Sequence, residues 1–244
     1  MTENERRTPA DEAASLVEDR FPHALGAMLG GSAAQGRATP TSDLDIAVLL
    51  PDDDTSRREV VRHRGRVAEL FVHTVAETQG HFERDRGLRR GTLLFLYDQG
   101  LPLTDDPHGL LAATREQARA ALAEGPPPLT ATEWERGRYV LTCFLDDLVD
   151  TPPSDRYEQL SLADFTLREA AHLLIAHHGC WTGIGKWLPR RLLGADRDRG
   201  EALLAGHRAV AERADPAPLA AAAGQVLDLL GGPLRDGYAQ RWRA

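Results

Sequence analysis

Residues 29–46 read LGGSAAQGRATPTSDLDI, and this is where the chain concentrates its chemistry. Asp43 and Asp45 stand two apart at the head of an apolar run. On a strand that spacing sends both carboxylates to one face, while Leu44 and Ile46 turn to the other face and the core. Two carboxylates so close repel, and a divalent cation between them removes that cost. Mg²⁺ is the natural choice, because it prefers carboxylate oxygens together with substrate phosphates. Ten residues separate Ser32 from Asp43. Gly30 and Gly31, just before Ser32, let backbone approach a ligand closely. If a helix follows, its first amides and the Ser32 hydroxyl can hold a phosphate. A phosphate-holding turn thus stands one loop ahead of a metal-holding strand.

A third carboxylate is expected from a neighbouring strand. In VAELFVHTV (67–75) strict alternation puts Glu69, Phe71 and His73 on one face and Ala68, Leu70 and Val72 on the other. A charged side chain in such a strand needs a partner or a metal.

The run L-G-G-S, ten residues, D-L-D-I, and then a later strand bearing Glu resembles the polymerase-β-like nucleotidyltransferase superfamily. The two-domain layout is similar to that of the antibiotic (aminoglycoside-type) members. The motif spans roughly residues 25–75. The resemblance implies that Gly31 and Ser32 bind the triphosphate of a nucleotide. It also implies that Asp43 and Asp45 hold Mg²⁺, two ions in all. Glu69 would either complete a metal site or accept the proton of an acceptor hydroxyl. In the resembling enzymes a lysine of the second domain contacts the triphosphate. The counterpart here is Lys186, the one lysine among 29 basic residues, in the segment HHGCWTGIGKWLPRRL (177–192). In several of those enzymes a second subunit completes the site, so a homodimer is compatible with the pattern.

Other acidic and histidine residues offer weaker chemistry. Asp146, Asp147 and Asp150 share a helix, with Asp150 beside both others. Their alternatives are a general base, an anionic acceptor pocket, or a solvated face. Glu169 in TLREAAHLL is a similar candidate. His172, His177 and His178 lie on an alanine-rich helix and read as structural. Trp181 and Trp187 read as packing residues rather than a stacking platform for a base.

The elements that must position these groups follow from periodicity and punctuation. Strands are expected at 23–31, 43–50, 67–75 and 101–106, and helices at 11–21, 76–90, 91–100 and 108–124. Residues 56–66, rich in arginine, fit either a short helix or a hairpin arm. GPPP at 125–128 stops the last of these helices, because proline cannot continue one. Beyond it the sequence reads helical at 130–150, 157–178, 198–213, 216–230 and 233–242, with KWLPRRL restarting a helix. The expected class is α/β: a small mixed-sheet nucleotidyltransferase domain (1–124), a linker (125–128), and an all-α helical bundle (129–244).

Composition bounds the function. The formal charge is −8, with 15 basic and 21 acidic residues before Gly125 and 14 and 16 from there on. Neither half is a basic module, so nucleic acid is not an expected partner. Such acidity suits a cationic small molecule, or a phosphate ligand whose charge a metal offsets. No apolar run reaches the length of a membrane span. The polar start MTENERRTPADEAA carries no secretory core, and the two cysteines, Cys143 and Cys180, build no disulfide framework. A reducing cytoplasm is the expected location. The expected activity is Mg²⁺-dependent transfer of a nucleoside monophosphate, AMP from ATP first among the options, to a hydroxyl of a small molecule such as an aminoglycoside-like antibiotic. The alternative is an antitoxin-like or regulatory enzyme that modifies a protein partner.

Overall fold

The segment LDIAVLL is too apolar to lie at a sheet edge, and it forms the central strand of the computed structural model, which describes residues 7–240. This strand, β2 (Leu44–Leu50), pairs antiparallel with β1 (Gly26–Leu29) and parallel with β4 (Arg66–Thr74). The arginine-rich stretch is a hairpin arm rather than a helix: β3 (Arg57–His63) runs antiparallel to β4. Its two-residue turn, Arg64 and Gly65, has φ of 49° and 91°. Left-handed backbone at both central positions matches the twist of a hairpin. A short β5 (Leu101–Pro102) completes the order β3-β4-β2-β1-β5. It is briefer than the expected 101–106, because Pro102 has no amide to donate. Past it, pairing continues through Leu103 N to Ala27 O at 2.9 Å and through the Thr104 hydroxyl, which accepts from Ala27 N at 3.0 Å.

Helix α1 (Pro9–Arg20) covers one face of this sheet. A reciprocal cap between Thr8 and Asp11 starts it. Its Ala13, Leu16 and Val17, with Phe21, pack on Leu44, Ile46, Val48 and Leu50 of β2 and on Ala68, Leu70 and Val72 of β4. Each large aliphatic buried this way contributes roughly 1.5–3 kcal/mol. The short α2 (Gly31–Ala34) follows β1 and packs Ala33 and Ala34 on the same core as α1, while the opposite face carries α3 (Thr78–Gly87), α4 (Thr92–Gln99) and α5 (Leu110–Glu124). Helix α4 packs on β1 and β2 and buries Leu94, Leu96 and Tyr97. The two Asp85 contacts fix where α4 begins: its Oδ2 accepts from the amides of Leu93 and Leu94 at 2.7 and 3.2 Å.

The chain divides after Gly125 into two compact units. Every regular element described in the second is helical: α6 (Ala131–Asp150), α7 (Arg156–His177), α8 (Trp187–Ala195), α9 (Arg197–Arg213) and α10 (Ala217–Leu229). Their core joins Leu141, Leu174, Leu192, Leu203, Val210 and Val226. Gly206 of α9 lies against the backbone of Leu219 in α10: a Cβ there would come within 2.5 Å of Leu219 Cα.

Residues 233–240, expected as helix, are not helical, and 241–242 lie outside the described residues. Gly231, Gly232 and Gly237 adopt φ of 98°, 84° and 82°, which breaks any helical continuation. The stretch instead binds along α6. Leu234 N donates to Thr142 Oγ1 at 3.1 Å, Arg235 pairs with Asp146, and the Tyr238 ring stacks on Tyr139 at 4.1 Å. No described helix is long and apolar enough to cross a membrane.

Candidate active site

The site starts where β1 meets β2. The Gly30 amide donates to the Asp45 carbonyl at 2.7 Å, which pins the glycine turn to the carboxylate-bearing strand. Gly31 then takes φ of 61°, and a Cβ on it would lie 1.9 Å from Asp45 Oδ2. Only glycine permits both the left-handed backbone and this approach. Ser32 follows in α2, half-buried.

Parallel pairing sets Asp45 directly beside Glu69. Asp43 stands just before β2, and ligand oxygens of Asp43, Asp45 and Glu69 all lie within 4.8 Å of one another. Three carboxylates this close repel strongly, and a bound cation reverses the sign. The donor set is all oxygen, hard and compact, so the residues fit a divalent ion such as Mg²⁺.

Glu69 has a partner that alternation within β4 does not reveal. Arg58 of β3 sits opposite Phe71, two pairs along from Val60 opposite Glu69, so all four side chains share a face. The Arg58 guanidinium lies 5.1 Å from the Phe71 ring centroid and ion-pairs with Glu69 Oε1. The ring holds the cation where the carboxylate can reach it.

On the same sheet face, nearer the C-terminal ends of β2 and β4, a buried polar cluster supports the site. His73 Nε2 and the Tyr97 hydroxyl share a hydrogen bond of 2.8 Å, and the rings of His73 and His81 are 5.4 Å apart. Burial, reinforced by the charge of His81, brings the His73 pKa down to about 4, so it stays neutral at physiological pH.

The other candidates fall in the second unit. Lys186 is exposed at the cap position of α8, followed by Trp187, whose ring lies 4.9 Å from the Arg190 guanidinium. Asp146 is engaged by Arg235. Glu169 is half-buried beside Gly137, and burial pushes its carboxyl above the usual range. The sequence therefore locates Asp43, Asp45, Glu69, Gly31 and Ser32 in one neighbourhood and Lys186 in the other unit, while Arg58 emerges only from the pairing of β3 with β4.

Residues 11–79, from α1 through the three carboxylates to the start of α3, match the family model described as nucleotidyltransferase domain. This segment is a nucleotidyltransferase domain. Such a domain transfers a nucleoside monophosphate, so the chain is a transferase. Among solved structures the chain is similar to a nucleotidyltransferase-like protein from Exiguobacterium sibiricum. The two are 11% identical, the match covers 91% of this chain and 73% of that one, and the TM-score is 0.44. A search of curated proteins found no match. Within the nucleotidyltransferase domain the acidic cluster is a group that could bind metal.

Proposed function

We propose that the protein moves a nucleoside monophosphate, AMP from ATP, onto a hydroxyl of a small molecule in a Mg²⁺-dependent reaction. The observation that carries this reading is the convergence of Asp43, Asp45 and Glu69 within 4.8 Å beside the left-handed Gly31. Asp43, Asp45 and Glu69 would hold Mg²⁺, with two ions the expected number. The metal supplies charge neutralisation for the triphosphate and the leaving group. Gly31 and Ser32 would hold the triphosphate, and the resemblance assigns Lys186 the role of a compact positive charge toward it. The acceptor oxygen bonds to the α-phosphorus as the bond from that phosphorus to the bridging oxygen breaks. Pyrophosphate leaves with the electron pair, and the hydroxyl proton passes to a carboxylate oxygen, that of Glu69 where this residue does not itself complete a metal site. Positioning and charge neutralisation carry most of such a transfer.

An aminoglycoside acceptor draws support from the net charge of −8 and from the resemblance of the two-domain layout to the aminoglycoside-type enzymes. Modification of a protein side chain is the competing reading, and the location of the label separates the two.

The test is thermal unfolding with each NTP, with and without Mg²⁺, on the wild type and on Asp45→Asn. A ligand at 100 times its dissociation constant stabilises by about 2.7 kcal/mol. Metal-dependent stabilisation by one NTP, lost in the variant, supports the site and names the donor. Absence of any shift overturns it. Transfer is then followed with α-labelled donor, where label on a protein instead of a small molecule selects the competing reading.

A further inference from the structure

The face of the sheet that carries Asp45 and Glu69 continues outward onto β3, where the described helices leave it open. Register places Arg58, Val60 and Arg62 there, opposite Phe71, Glu69 and Val67. The alternate residues Glu59 and Val61 turn to the side of α1, where Glu59 meets Arg20 and Val61 packs on the core. Val60, directly opposite Glu69, is 69% exposed, and the Arg58 side chain is 67% exposed. An uncovered apolar residue flanked by guanidiniums, next to the carboxylate that meets the acceptor, is a small amphipathic platform. It carries two guanidiniums, that of Arg58 paired with Glu69, although the chain is acidic overall.

Resting on the nucleotidyltransferase reading above, we propose that this β3–β4 platform binds the acceptor, and that the acceptor is a hydroxylated small molecule bearing an anionic group, which Arg58 recognises. Val60 supplies the apolar floor. Arg58 is already committed to a carboxylate, that of Glu69, and stays poised over Phe71 by ring contact. An incoming phosphate or carboxylate exchanges for Glu69 as the partner of Arg58, which releases the glutamate next to the acceptor hydroxyl. A polycationic acceptor meets Arg58 and Arg62 with like charge, which costs affinity instead of adding it. The platform therefore excludes the aminoglycoside class that the overall charge favours.

Four six-carbon sugar derivatives separate the charge classes: glucose 6-phosphate, gluconate, glucose and glucosamine. Each is titrated into the full-length protein already saturated with Mg²⁺ and the α,β-methylene analogue of the stabilising NTP, with thermal shift as readout. The expected result is that the two anions bind at least tenfold more tightly than glucose and glucosamine. Arg58→Ala removes the preference, and Arg58→Lys restores part of it. Which anion binds better distinguishes a phosphate from a carboxylate ligand. Equal affinity or no binding across the four, a preference for glucosamine, or an anion preference that survives Arg58→Ala overturns the proposal. Arg58 is exposed, so its variants keep the core, and an unchanged melting temperature of the metal-free, nucleotide-free protein verifies this. If the wild type shows no shift with Mg²⁺ and nucleotide, the nucleotidyltransferase reading itself has failed, before any sugar is added, and the acceptor assignment falls with it.

Discussion

Gly31 and Asp45 share space that a side chain would need: a methyl group on Gly31 would stand 1.9 Å from Asp45 Oδ2. Gly31→Ala therefore carries two penalties, strain at φ of 61° and displacement of the carboxylate. The strain alone costs about 1–2 kcal/mol. The expected outcome is a modest fall in melting temperature and complete loss of the Mg²⁺-dependent nucleotide shift. A variant that retains the full shift would remove Gly31 from the site.

The three carboxylates oppose one another until a cation joins them. Asp43→Asn and Asp45→Asn should thus leave the metal-free protein as stable as the wild type or slightly more so. Transfer should fall by a factor on the order of a thousand, because the metal contributes several kcal/mol to such reactions. Melting curves in chelator, set beside initial rates with Mg²⁺, check both halves. A destabilised metal-free variant would indicate that the carboxylates are held by hydrogen bonds that outweigh their repulsion.

Lys186→Ala should raise the Michaelis constant for the NTP about tenfold, the loss of one charge contact worth about 1.4 kcal/mol. The melting temperature should hardly change, since the side chain is exposed. Lys186→Arg keeps the charge and should recover most of the affinity. If Ala and Arg behave alike, the lysine is a surface residue.

Acid should destabilise the first unit through His73. Its folded pKa of about 4 lies below the ordinary value of 6.5, so the folded state resists a proton that the unfolded state accepts. Stability is therefore full above pH 6.5 and falls as the pH drops towards 4. The loss approaches about 3 kcal/mol, since each tenfold difference in proton affinity between the two states is worth about 1.4 kcal/mol. His81, whose pKa is lowered mainly by burial, adds to the effect. Urea unfolding at pH 7 and pH 5 should show the drop, and His73→Gln, which can still accept from the Tyr97 hydroxyl, should reduce it. An unaltered pH dependence in that variant would place the sensitivity elsewhere.

In the second unit Gly206 lets α9 and α10 touch backbone to backbone, and Gly206→Ala should cost about 1–3 kcal/mol by overpacking. Denaturant unfolding monitors the loss. A neutral result would mean that the two helices part without penalty.

Much of this architecture is legible in the sequence because each signal is local. The run IAVLL can only be a buried strand, and alternation alone separates Ala68, Leu70 and Val72 from Glu69, Phe71 and His73. The aspartate spacing and the glycine turn likewise sit within one continuous stretch. What escapes such a reading depends on pairing across elements. Arg58 reaches Glu69 through the register of a hairpin whose first arm, by composition, suits a helix equally well. The His73–Tyr97 bond joins residues 24 apart and needs α4 seated on the sheet. The stretch at 233–240 is open to a helical reading, yet Gly231 and Gly232 before it, Gly237 within it and a set of contacts to α6 hold it irregular.

The Arg64–Gly65 turn closes the outermost hairpin of the sheet, with only β3 between Glu69 and the margin. A hairpin tip of this kind can lengthen or shorten by whole residue pairs while the register at Val60 and Glu69 stays fixed. The composition of this peripheral arm can therefore be rewritten while the paired carboxylates of β2 and β4 keep their places.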